Sequence, residues 1–81
     1  MIDVKVYSAP WCVWCNRTKA FLRENRIEFK DFNVEEDNNA MYEMMEKSGQ
    51  SGIPVIDVNG EIIVGFDQER LSHLIGIPHR H

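Results

Sequence analysis

Asn59-Gly60 stands between two short apolar runs, Pro54–Val58 and Glu61–Val64. A two-residue type I′ turn needs φ > 0 at both positions, and Asn-Gly meets that need with the least steric cost. The last third of the chain is therefore expected to hold a tight antiparallel hairpin. Asp67 then has the place of a helix N-cap, with Phe66 and Leu71 spaced as a hydrophobic staple. Leu71, Leu74 and Ile75 give that helix a buried face, and Gly76 with Pro78 ends it.

The rest of the chain supplies the partners of this hairpin. Ile2, Val4 and Val6 alternate with Asp3, Lys5 and Tyr7, the period of a strand, and Ser8-Ala9-Pro10 breaks it. From Val13 to Asn25 the pattern turns helical, with Trp14, Thr18, Phe21 and Leu22 on one face. Ile27, Phe29, Phe32 and Val34 suggest a second strand with an irregular end. Asp37 is expected to cap a helix whose inner face carries Met41, Met44, Met45 and Ser48, with Gly49 at its C-terminus. The order is β-α-β-α-β-β-α. A parallel βαβ unit followed by an antiparallel hairpin makes a four-stranded mixed sheet flanked by three helices, an α/β fold.

Eighty-one residues suffice for a single domain, expected over residues 1–77 with a short tail at 78–81. The two cysteines, Cys12 and Cys15, are too close in sequence to staple such a chain, because a bridge between them closes only a tiny loop. They are either redox-active or half of a metal site. Zinc needs four ligands, and only His73, His79 and His81 could complete a set, so a redox pair is the expectation and a metal is not. A net charge of −4 with scattered Lys and Arg argues against a nucleic-acid surface. No apolar run approaches the length of a membrane span, and Met1–Lys5 does not have the pattern of a signal peptide. A cytoplasmic setting follows, where a Cys-x-x-Cys pair cycles rather than stays oxidised. The Met41, Met44 and Met45 stripe is taken as core, and a monomer is expected.

Cys12-Val13-Trp14-Cys15 lies between the first strand and the first helix. Unpaired N–H groups and the macrodipole at a helix N-terminus stabilise a thiolate there, so Cys12 is the expected nucleophile. Cys15, one turn further in, is the expected resolving thiol, within bonding reach of Cys12.

Taken together, Pro10–Cys15, Gly52–Ile56 and Val64–Asp67 resemble the glutaredoxin-like branch of the thioredoxin superfamily, over nearly the whole chain. The resemblance implies a thioredoxin-like (glutaredoxin) fold and thiol–disulfide oxidoreductase activity through a Cys12–Cys15 disulfide, without a bound cofactor. It implies that Pro54 is cis beside that disulfide and that Ile53 offers its backbone to an extended substrate. Trp11 matches a thioredoxin tryptophan beside the nucleophile, and Trp14 is expected to face substrate. Gly65, Phe66 and Asp67 match the segment flanking the substrate groove, although a strand end and a helix cap account for Phe66 and Asp67 equally well.

Two departures bear on the electron donor. Glutathione-dependent members tend to have a lysine where this chain has Ala9, and a second glycine where it has Phe66. Glutathione is therefore disfavoured, though not removed, as the reductant. The run from Gly65 to Leu71 is similar to NrdH-type redoxins, which take electrons from a thioredoxin reductase and pass them to ribonucleotide reductase. A thioredoxin reductase or similar flavoprotein is the expected donor, and protein disulfides, as in ribonucleotide reductase or a peroxidase, are the expected substrates. The buried acid of thioredoxins is here Val6. A more distant reading is an iron–sulfur module ligated through Cys12 across a dimer.

Overall fold

The computed structural model describes residues 2–76, so Ile77 and the expected tail Pro78–His81 lie outside the described residues. The elements are β1 (Val4–Ser8), α1 (Val13–Glu24), β2 (Lys30–Asn33), α2 (Asn38–Ser48), β3 (Val55–Val58), β4 (Glu61–Val64) and α3 (Gln68–Ile75). The sheet order is β2-β1-β3-β4. β1 runs parallel to β2, a pairing that needs a crossover, and α1 supplies it. β1 with β3 and β3 with β4 are antiparallel. This is the thioredoxin-like arrangement expected from the sequence. Asn59 and Gly60 sit at φ 52° and 94°, as the hairpin turn requires.

Helices cover both faces of the sheet. On one face Val4, Val6, Ile56, Val58 and Ile63 pack with Leu22 of α1 and with Leu71 and Ile75 of α3. On the other, Tyr7 and Val55 pack with Val34, and with Ala40 and Met44 of α2. β3, central and covered on both sides, is buried along its length, which explains its unbroken apolar run around Asp57.

Four local expectations need correction. Met45, taken as core with Met41 and Met44, is exposed, because the buried face of α2 is carried by Ala40 and Met44. Tyr7, placed by alternation with the polar residues of β1, is fully buried and stacks on Phe32 at 5.3 Å, because α2 covers the face to which it points. Ile27 and Phe29 precede β2 rather than belong to it; they pack against the first core before the ladder begins at Lys30. Trp14 is not on the inner face of α1, which is carried by Cys15, Thr18 and Leu22.

Beneath α2 a polar cluster ties helix to sheet. The Lys47 ammonium donates to Asp57 at 2.7 Å, to the Tyr7 hydroxyl at 2.9 Å and to Glu43 at 3.1 Å. The Tyr7 hydroxyl donates in turn to Glu43. Burial alone would raise the Asp57 carboxyl, but Lys47 and the Gly60 N–H hold it below its ordinary value. Burial likewise opposes the charge on Lys47, and its hydrogen bonds to Asp57, Tyr7 and Glu43 outweigh that penalty, so it titrates above the usual lysine range. A depressed carboxyl contributes stability that is full above its unfolded pKa and is lost as pH falls through its folded one. Lys47→Met is therefore expected to lower unfolding stability by about 1–2 kcal/mol at neutral pH, a partly exposed version of breaking a buried pair. In urea titrations the gap to wild type should narrow below about pH 4, where the carboxyl becomes protonated. A gap that stays constant into acid would contradict the role given to Asp57.

Candidate active site

After β1 the chain turns tightly, with the Cys12 N–H donating to the Ala9 carbonyl at 3.1 Å. Cys12 itself is extended, at φ −81° and ψ 112°, and α1 starts at the next residue. Its sulfur accepts the Cys15 N–H at 3.2 Å, and its carbonyl accepts the Asn16 N–H at 3.0 Å. A cysteine sulfur thus does what a Ser or Asp oxygen does at most helix starts. No acidic side chain occupies the first turn of α1, so nothing there competes for its positive end.

Both cysteines are free thiols. Cys12 is 7% exposed and Cys15 fully buried. Burial is the main cause that pushes the Cys15 thiol up, to about 12, and its hydrogen bond with Cys12 adds to the effect. The Ala9 backbone and the Lys19 charge act in the opposite sense. Lys19, one turn after Cys15, is held by Asp31 at 2.8 Å and approaches the buried Ser8 hydroxyl at 3.4 Å.

Cys12 opens on a groove of ≈ 700 Å³. Trp11, Val13 and Trp14 line it on the cysteine side. Val34 and Glu35 enter just after β2, Met41 from α2, and Ser51, Gly52 and Ile53 from the segment before β3. These pieces meet because parallel β1 and β2 end at the same edge of the sheet where antiparallel β3 begins. Ligand crevices of open α/β sheets lie at this carboxyl edge. The groove is mainly apolar, and its aromatic side chains are open: Trp11 is 66% and Trp14 56% exposed. The Trp11 indole N–H donates to the Glu35 carboxylate. The Arg17 guanidinium lies over the Trp14 ring, 4.9 Å from its centroid.

The Ile53–Pro54 peptide is cis, as the resemblance implied. The Gln50 side chain holds this segment, accepting the Gly52 N–H at 2.6 Å and donating to the Gly52 carbonyl at 3.1 Å. Among the described residues, the Ile53 N–H and C=O make no hydrogen bond. An unpaired donor and acceptor beside a groove can take an extended chain as an added strand.

Of the residues singled out in the sequence, Trp11, Cys12, Trp14 and Ile53 line the groove together. Pro54 is buried, and its carbonyl accepts the Gly65 N–H at 2.8 Å. Gly65 has φ 82°, a conformation that favours glycine. Phe66 packs on Phe21, with ring centroids 5.7 Å apart, and Asp67 caps α3 by accepting the Arg70 N–H at 3.1 Å. None of Pro54, Gly65, Phe66 and Asp67 is among the described lining residues. Sequence reasoning missed Glu35 and Met41. Their signal is topological: a residue just past a parallel strand, and one on the helix that follows it.

The sequence profile of the glutaredoxin family matches residues 4–63. The chain belongs to the glutaredoxin family. A glutaredoxin-like 8.6 kDa protein of the rubredoxin operon of Clostridium pasteurianum, itself uncharacterized, is 46% identical over 72 residues, 89% of this chain and 96% of that one. The crystal structure of the thioredoxin-like protein BC3987 superposes with a TM-score of 0.83 at 30% identity, covering 88% of this chain and 97% of that one. The glutaredoxin-like NrdH-redoxin of Escherichia coli matches with a TM-score of 0.78 at 23% identity, over 98% and 97% of the two chains, which is a likeness of fold. Membership makes this a redox-family protein, and the two cysteines of the site are Cys12 and Cys15.

The geometry predicts unequal thiols. In the native reduced protein at pH 7, iodoacetamide should label Cys12, which opens on the groove, and spare Cys15. A thiol titrating near 12 is almost wholly protonated at neutral pH, and the thiolate is the reactive form. Cys15 should become labelled only as pH rises toward that value or on unfolding. Peptide mass spectrometry that finds both cysteines alkylated equally at pH 7 would contradict this asymmetry.

Proposed function

We propose that this protein reduces protein disulfides by thiol–disulfide exchange through Cys12 and Cys15. The Cys12 thiolate attacks one sulfur of a substrate disulfide; a mixed disulfide forms and the other substrate sulfur leaves as a thiolate that takes up a proton. Cys15 then loses its proton and attacks the Cys12 sulfur. The Cys12–Cys15 disulfide forms, and the second substrate thiol is released. Two electrons have passed from protein to substrate, and a partner reductase must return them.

The observation that carries this reading is the pair of free thiols at the start of α1. One caps the helix and opens on a groove; the other is buried one turn below it. The groove supplies apolar surface, and the unpaired Ile53 backbone supplies hydrogen bonds for an extended segment around the target disulfide. Trp11 and Trp14 are the apolar contacts for that segment.

For the electron donor, the reading is a thioredoxin reductase or similar flavoprotein rather than glutathione, with enzymes such as ribonucleotide reductase or a peroxidase as clients. Ala9 is fully buried and offers no cation to a glutathione carboxylate. Phe66 fills the position of a second glycine with a ring packed on Phe21. The NrdH-redoxin of E. coli is described as having a thioredoxin-like activity profile. The Gly65-Phe66 run extends that profile, as our reading, to this chain.

Cys12→Ser should abolish disulfide reduction, and Cys15→Ser should accumulate mixed disulfides with substrate, seen by non-reducing electrophoresis. Wild-type turnover should be supported by NADPH with thioredoxin reductase. Turnover with glutathione and glutathione reductase alone would overturn the assignment of donor, and full activity of Cys12→Ser would overturn the mechanism.

A further inference from the structure

Glu35 is the single charged residue among the described residues lining the groove. It is exposed, and it takes part in no ion pair among the described residues. Among the described residues its side-chain partner is the Trp11 indole N–H, a neutral donor that fixes the carboxylate without cancelling its charge. The Glu35 backbone is fixed as well, its N–H donating to the Asn33 side chain at 3.0 Å. Arg17 lies over the Trp14 ring and is not among the lining residues. A substrate segment laid against Ile53 and the two tryptophans therefore meets a mainly apolar lining whose one charged side chain is a fixed carboxylate with no ion pair among the described residues.

We propose that Glu35 sets substrate choice: the groove favours disulfides flanked by Lys or Arg and disfavours those flanked by carboxylates, glutathione's included. This rests on the disulfide-reductase reading and deepens it. A fixed charge beside apolar walls acts on a charged ligand more strongly than one moving freely in water. The hydrogen bond to Trp11 keeps the carboxylate at the groove rather than swinging into solvent. Opposite charges across such a rim change affinity by only a few-fold. Exchanging attraction for repulsion doubles the free-energy difference, so a preference of roughly tenfold is expected between the two substrate types.

The test uses the reduced full-length protein in a single turnover, which needs no reductase partner. Two disulfide-linked peptide substrates share one apolar sequence and differ only in Lys or Glu beside the cysteine. The expected second-order rate constants favour the Lys peptide by roughly tenfold at low ionic strength, with the ratio shrinking in 0.5 M salt (a concentration chosen to shorten the Debye length to about 4 Å). In Glu35→Gln the ratio should fall toward one, and in Glu35→Lys it should invert. Equal rates for the two peptides in wild type, or a ratio unchanged in Glu35→Gln, would overturn the proposal while leaving the exchange mechanism standing. Failure to reduce either peptide would overturn both.

Discussion

The first turn of α1 is held by the Cys12 sulfur, which takes the Cys15 N–H, and by the Cys12 carbonyl, which takes the Asn16 N–H. That local lock decides the register of the whole helix. With α1 beginning at Val13, Cys15, Thr18 and Leu22 turn inward, and Val13 and Trp14 turn out. Thr18 reinforces the register by donating its hydroxyl to the Trp14 carbonyl at 2.8 Å. A slip of one residue would rotate the helix by about 100° and would take Leu22 out of the core. The contacts that start the helix are therefore the contacts that place one thiol in the groove and the other beneath it.

The second requirement is a shared edge. β1 and β2 end side by side, and β3 begins beside them, so segments from three distant parts of the sequence reach the same crevice. The sheet is covered by α1 and α3 on one face and α2 on the other, which leaves this edge for binding. Under α2, the Lys47 cluster spends hydrogen bonds on holding helix to sheet and lies apart from the cysteines in the chain. Function in this family member is thus placed by topology and chemically defined by a few side chains at the ends of elements.

Much of this was legible in the sequence wherever a local rule governs the structure. Asn59-Gly60 demanded positive φ, Asp37 and Asp67 had oxygens to give to free helix N–H groups, and Gly49 and Gly76 could adopt the left-handed caps. Cys12 and Cys15 announced themselves by spacing and by their place before a helix. Tyr7 and β2 were less legible, because their positions depend on what lies across the sheet. Tyr7 is buried by α2, more than thirty residues away, and β2 is an edge strand with Phe32 as its only large apolar side chain. Trp14 was misplaced because an aromatic residue near a buried stripe was assumed to share it. Glu35 had no local signal, since its meaning depends on a groove built by Trp11 and Ile53.

The exchange mechanism requires Cys12 and Cys15 to form one two-electron couple within a single chain. The deciding measurement is equilibration of the protein in a series of reduced and oxidised dithiothreitol buffers, followed by acid quenching and mass analysis. The expected result is one cooperative two-electron transition, with the monomer losing two hydrogens and a Cys12–Cys15 linkage in the oxidised peptide map. An oxidised form that is a disulfide-linked dimer, or two thiols that remain free across the whole series, would contradict it.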